Sequence, residues 1–300
     1  LDELVSQPQV GVKATTSKEA THALDADCVV HTPTTAALLK GSDQDVLDLL
    51  AAGKNVVSGA SHHNPSMHNW LSETQPALSV LRTVGNMKVT GTIFKPQEKQ
   101  ALAALRKIMQ AVDSKPAQAL HPLLEKLTNR VLDRVLPRRV SGQRFQAACI
   151  KGGSSLFGTG LHPGVMVEQV VLRLASLLEE VHQVHFLEVG DLSAAPDGMW
   201  GGLSSLGFGT ALSEVDSNHA IALMQHFYFN DVLGGVAHEL FGVGPERVRV
   251  ERHVYPVPAR VEIKAGGTVI KPGTVGAIHM TYRGYIDDRL FMTNEECWHV

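Results

Sequence analysis

Three stretches of this sequence place chemically capable side chains close together. Residues 149–169 read Cys-Ile-Lys-Gly-Gly-Ser-Ser-Leu-Phe-Gly-Thr-Gly-Leu-His-Pro-Gly-Val-Met-Val-Glu-Gln: a short apolar run, a glycine cluster at Gly158-Thr159-Gly160, then a helical pattern with Pro163 near its first turn. Glycines let backbone N–H groups approach a ligand closely, and the unpaired amides of a helix start attract a phosphate, a carboxylate or a carbonyl oxygen. The stretch is expected to be a strand, a tight turn and a helix start that together floor an active site. Gly158-x-Gly160-x-x-x-Gly164 also mimics a dinucleotide fingerprint, one residue longer than the commonest spacing, and a glycine turn that merely joins two elements is the plain alternative. The second stretch, Ser61-His62-His63-Asn64-Pro65-Ser66-Met67-His68, could hold a metal, transfer protons near neutral pH, or simply decorate a rim. No carboxylate or cysteine ligands accompany it at regular spacing, so no metal is expected. In the third, Glu188, Asp191 and Ser193 follow an apolar run and are read as sharing one strand face, where the carboxylates either move protons, hold an amine, or are ordinary solvated residues.

These side chains need a scaffold, and the sequence supplies one in order. An apolar run at 26–31 enters Thr32-Pro33-Thr34; a helical pattern at 43–52 carries Val46, Leu47, Leu49 and Leu50 and closes on Gly53; a second run follows at 55–61. Strand, helix and strand with short connections predict a parallel α/β sheet with right-handed crossovers. Ligands of such sheets lie at the carboxyl ends of the strands, which puts His31, Thr32, Pro33, Ser58, Gly59 and Ala60 on one rim.

Residues 75–144 read differently: a strand-like piece at 87–94 and two helical patterns at 97–112 and 120–136, the second ending in Arg130, Arg134, Arg138 and Arg139. That basic end is a solvated helix terminus or an anion or partner contact. After the central stretch come a strand at 184–189, glycine-rich loops at 198–202 and 206–209 able to close over a small ligand, and helical patterns at 219–229 and 231–241. From 248 onward the alternation is antiparallel, with a Gly266-Gly267 hairpin. The expected fold is α/β: an incomplete N-terminal Rossmann-like parallel sheet plus an α+β substrate domain with a mixed, largely antiparallel sheet. Its boundaries are a partial dinucleotide-binding domain at 1–70, a helical insertion at 71–144, the last strand of the first domain at 145–157, and a substrate and dimerisation domain at 158–300.

Composition narrows the partners. The 300 residues are 44% hydrophobic, the formal net charge is -3, and mean hydropathy is near zero, as for a globular chain with a sizeable core and no footprint for nucleic acid or anionic membrane. Cys28, Cys149 and Cys297 are widely separated, without metal-ligand spacing, and are read as buried free thiols in a reducing compartment. No apolar run approaches the roughly 18 residues of a membrane span, and a cytoplasmic protein acting on a small metabolite is expected.

Taken together, the strings Ala-Asp-Cys-Val-Val-His-Thr-Pro, Gly-Lys-Asn-Val-Val-Ser, Gly-Gly-Ser-Ser-Leu-Phe-Gly-Thr-Gly-Leu-His-Pro-Gly, Glu-Val-Gly-Asp-Leu-Ser, Met-Trp-Gly-Gly-Leu and Thr-Asn-Glu-Glu-Cys-Trp resemble the dihydrodipicolinate reductase-like family, whose relatives include 2,4-diaminopentanoate dehydrogenase and NAD(P)-dependent amine dehydrogenases. The resemblance covers most of the chain outside 75–144. It implies hydride transfer between NAD or NADP and a C=N carbon, and a homodimer joined through the second domain. By position it implies cofactor contacts at His31, Thr32, Pro33, Ser58, Gly59, Ala60, Gly160, His162, Pro163 and Gly164, and substrate contacts at Gly158, Thr159, Met199 and Trp200. Glu188, with His62 and Asp191, is left to handle protons. The family's opening Gly-x-Gly-x-x-Gly strand has no counterpart here, nor does its closing strand and helix, so the chain is expected to be an internal fragment or a relative that has lost its cofactor clamp and binds ligands without catalysis. Where amine dehydrogenases carry a Glu after the Asn-Val-Val-Ser strand this sequence has Ser61-His62-His63, and no Lys follows the His pair as in the reductases proper.

Overall fold

Short β-branched runs build the first sheet. β1 (Cys28–His31), β2 (Asn55–Ser58) and β3 (Leu156–Gly158) pair in parallel in the order β1-β2-β3, with Val56 opposite both Val29 and Leu156. The computed structural model describes residues 15–33, 42–60, 62–65, 140–195, 203–216 and 224–300, with Ile221 and scattered helical positions between 96 and 130. The expected strand at 87–94, the loop at 198–202 with Met199 and Trp200, Ser61, and most of the two helical patterns of the 71–144 segment lie outside the described residues.

A short helix, α1 (Lys18–His22), precedes β1, and α2 (Asp43–Ala51) crosses from β1 to β2. Its Val46, Leu47, Leu49 and Leu50 fall at helical spacing and bury against Phe145 and Ala148 of α3 (Gly142–Gly152), with Val56 and Val140 completing a small core. The sequence predicts a strand at 145–157, and only the end of that segment is one. Phe145, Ala148 and Cys149 repeat at helical spacing along α2, so the Ala-Ala-Cys-Ile run is helical and β3 begins at Leu156.

The second sheet has the order β4-β9-β8-β5: β4 (Val184–Asp191) runs parallel to β9 (Arg289–His299), while β8 (Val275–Ile286) is antiparallel to both β9 and β5 (Val248–Pro258). The inner face is closed by α5 (Asn230–Phe241), buried from Asp231 to Ala237; a shorter helix, α4 (Val170–Ala175), also packs against α5. Phe229 stacks on Tyr282 with ring centroids 3.8 Å apart, both fully buried. Each such aromatic contributes about 2 kcal/mol through burial. The Gly266-Gly267 turn joins β6 (Ile263–Ala265) to β7 (Thr268–Ile270) as a separate hairpin. The architecture is thus α/β with a parallel Rossmann-like sheet and a mixed, largely antiparallel second sheet, as the sequence predicts.

Two expectations are corrected. Glu188 and Asp191 do not share a face: strand side chains alternate with a period of two, so residues three apart point opposite ways, and along β4 Glu188 turns inward while Asp191 is exposed. The thiols are free, as expected, but not buried, Cys28 being exposed at the start of β1 and Cys149 and Cys297 half-buried. Among the described residues no helix is long and apolar enough to cross a membrane.

Candidate active site

The carboxyl ends of the three parallel strands meet at a crowded corner. The Thr159 amide donates to the Ser58 carbonyl at 2.7 Å and the Gly59 amide to that of His31 at 2.9 Å. A Cβ on Gly158 would lie 2.0 Å from the His62 carbonyl oxygen, and one on Gly160, whose φ is 123°, would lie 2.9 Å from that of Gly59. Glycine is therefore required here because the protein's own backbone approaches too closely to leave room for a side chain. Beyond the turn His162 is extended, with φ -136° and ψ 127°, its bond to Pro163 is cis, and the helical turns run on from Pro163 to Gln169 in a π-helical pitch.

That extended His162 projects to the inner face of the second sheet. β4 and β9 pair Glu188 with Glu296, and the imidazole bridges them: Nδ1 lies 3.1 Å from Glu188 Oε2, and Nε2 lies 3.2 Å from Glu296 Oε2. These are ion-pair distances, but neither ring N–H is aimed well enough to make a directed hydrogen bond. The outer oxygens are held from behind, Glu188 Oε1 by the Trp298 indole N–H at 3.1 Å and Glu296 Oε1 by the Asn294 amide at 2.6 Å. Phe229 meets the imidazole edge-on at 6.1 Å. Glu296 is fully buried, whereas His162 and Glu188 side chains keep 21% and 18% of their exposure, so a small molecule can reach those two but not Glu296. The same three groups have one ligand atom each within 4.8 Å of one another, close enough to surround a small cation.

Burial works against a charged His162, but the contact with Glu296 and the charges of both glutamates outweigh it, and its pKa lies above that of free histidine. Burial also pushes Glu296 up, an effect His162 only partly offsets. A pKa raised in the folded state gives stability that is complete below the unfolded value of about 6.5 and is lost as pH rises through the folded value. Replacing His162 by Gln is therefore expected to lower the urea midpoint more near pH 6 than above pH 8. Equal losses at the two pH values would remove the imidazolium from the stabilising pair.

A second constellation lies behind the rim. His31 Nδ1 is 3.0 Å from Ser58 Oγ, Ser58 Oγ is 2.9 Å from His62 Nδ1, and His62 Nε2 is 2.9 Å from Asp43 Oδ1. The Val140 amide donates to Asp43 Oδ2 at 2.9 Å, and Asp43 opens α2, where the helix dipole favours its negative charge. Ser58, His62 and Asp43 are all buried. His63 faces the other way and pairs with Glu168 at 3.1 Å, both side chains buried. Beside that pair a cleft of about 1160 Å³ opens between α3, β3 and the helix after the glycine turn, with Phe145, Leu172 and Arg173 among its walls.

The chain superposes on the solved structure of an amine dehydrogenase from Mycobacterium smegmatis over 100% of its own length and 67% of that chain, with a TM-score of 0.52 and 13% sequence identity. It shares the fold of an amine dehydrogenase. No protein-family model matches the sequence, and no curated protein matches it.

On this dehydrogenase-like fold, the residues picked out from sequence fall into three groups. Thr32 and Gly59 are exposed and His31, Pro33, Thr159 and Gly160 half-buried at the strand ends, forming an open rim. Ser58, Ala60, Pro163 and Gly164 are buried behind it, and Gly158 carries the tight turn. Glu188 and His162 come together; His62 lies apart, in hydrogen-bond contact with Ser58, and Asp191 is on the opposite sheet face, where its carboxylate accepts from the Ser193 amide at 2.9 Å. Sequence reasoning missed Glu296, Asp43 and Glu168. Of these Glu296 had a readable signal, because in Asn-Glu-Glu-Cys-Trp a strand must turn one of two successive glutamates inward.

Proposed function

We propose that this chain is the core of an NAD(P)-dependent oxidoreductase of the dihydrodipicolinate reductase-like kind, acting on the C–N bond of a small amine or imine. The observation that carries the reading is the inward pair Glu188 and Glu296 bridged by His162, two residues beyond the turn at the end of β3. With both carboxylates ionised and the imidazole protonated the cluster has a net charge of -1, which suits an ammonium or iminium nitrogen in a site shielded from water. Glu188 is the reachable carboxylate and would hold the substrate nitrogen, its orientation fixed by Trp298. Glu296 is the buried counter-charge whose contact favours the protonated form of His162. His162 would then give or take the proton that accompanies the change at nitrogen.

A nicotinamide dinucleotide supplies the hydride when bound. The open rim suits its nicotinamide end: Thr32 and Gly59 are exposed at the strand ends, with His31 and Pro33 beside them, while Ser58 and Ala60 are buried behind the rim. A homodimer, as the resemblance implies, would cover the outer face of the second sheet, where Leu187, Val189, Tyr255 and Val257 are exposed.

The first test is fluorescence titration of NADH and NADPH into this chain and into a version extended upstream, followed by reductive amination assays on whichever binds. Glu188→Gln is expected to lower turnover about a hundredfold with the cofactor affinity unchanged. Wild-type turnover in that variant would remove Glu188 from the reaction, and no cofactor binding by either version would favour a ligand-binding relative without redox chemistry.

A further inference from the structure

With Asp43 ionised and both imidazoles neutral, donors and acceptors give the buried chain Asp43, His62, Ser58 and His31 a single direction. Asp43 opens α2 and accepts from the Val140 amide, which keeps it an acceptor, so His62 Nε2 carries the hydrogen of that 2.9 Å contact. His62 Nδ1 is then an acceptor, and Ser58 must donate to it across 2.9 Å. The Ser58 oxygen, having given its one hydrogen inward, accepts from the Ala60 amide at 3.2 Å and from His31 Nδ1 at 3.0 Å. His31 is thereby held as the Nδ1–H tautomer with the lone pair on Nε2, and no described residue bonds that nitrogen. Phe145 packs edge-on against His62 at 5.4 Å and keeps the inner end dry.

We propose that these four residues form a proton relay, with His31 as the group that exchanges a proton with a ligand at the strand-end rim and the His62–Asp43 pair as its buried store. When His31 Nε2 takes a proton, the Nδ1 hydrogen passes to Ser58 Oγ as the Ser58 hydrogen passes to His62 Nδ1. The positive charge then rests on His62 beside the Asp43 carboxylate, and the reverse sequence returns it. One proton enters and one positive charge moves inward; no electron is transferred. Asp45, itself paired with Lys18, is the other charge near His31, and both aspartates favour its protonation while burial opposes it more strongly. The inference rests on the oxidoreductase reading only in taking the rim as the place where a ligand is handled.

The test uses the 300-residue chain with ¹⁵N-labelled histidine and neither cofactor nor substrate, so it is independent of the titration above. Two-bond ¹H–¹⁵N correlations above pH 8 are expected to show His31, assigned by its loss in His31→Gln, as Nδ1–H, the less common tautomer of free histidine, and His62 as Nε2–H. In Ser58→Ala, His31 should revert to Nε2–H. Asp43→Asn should lower the pH at which His31 titrates, and by more when Ser58 is present than in the Ser58→Ala background, which a static hydrogen-bond network would not do. An Nε2–H His31 in the wild type overturns the relay without any variant having to fold, as do a His31 tautomer indifferent to Ser58→Ala and an Asp43→Asn shift of equal size in both backgrounds.

Discussion

Gly158→Ala is expected to destabilise the chain by more than about 4 kcal/mol, a size reserved for substitutions that force backbone apart. The added methyl would sit 2.0 Å from the His62 carbonyl oxygen, 2.2 Å from its carbon and 2.5 Å from the His63 nitrogen. None of these is the end of a flexible side chain. Residues 62 and 63 would have to retreat from β3, and His62 would leave its contacts with Ser58 and Asp43 while His63 would leave Glu168. Gly59→Ala is the control: its nearest neighbour would be Thr32 Cγ2 at 3.6 Å, an ordinary contact, and its cost should be within about 1 kcal/mol. Urea unfolding of the two variants checks the contrast, and similar midpoints would mean that the corner is looser than its geometry.

Asp43→Ala should cost about 3 kcal/mol, because it removes the acceptor that the buried His62 Nε2–H and Val140 N–H share, at about 1 to 3 kcal/mol each, and also removes a favourable charge from the first turn of α2. Asp43→Asn keeps one acceptor oxygen and should cost roughly half as much. The ordering is the informative part. If Asn proved as damaging as Ala, the carboxylate charge rather than its hydrogen bonds would be holding His62, and the unfolding midpoints of the two variants decide between them.

Both predictions arise at the corner where the sequence said most and least. The strands Cys-Val-Val-His and Asn-Val-Val-Ser were legible because β-branched runs and a helix between them leave few alternatives to a parallel pair. The antiparallel second domain was legible for the same kind of reason, since alternation over long strands fixes which side chains face inward. The same rule, applied carefully to Glu188 and Asp191, separates them, and applied to Glu295 and Glu296 would have found the buried one. The helical reading of 142–152 was hidden because Ala-Ala-Cys-Ile suits either state until the apolar face of α2 is laid against it.

What the sequence determined by itself was local: the periodicities that choose strand or helix, the glycines that permit a turn, and the histidines and carboxylates available for chemistry. What tertiary structure alone decided was which of them meet. Asp43 reaches His62 across 19 positions and His162 reaches Glu296 across more than a hundred, and no local pattern encodes a pairing set by sheet register and crossover geometry. The candidate sites therefore reside in contacts that form only when sheet register and crossover geometry bring distant residues together.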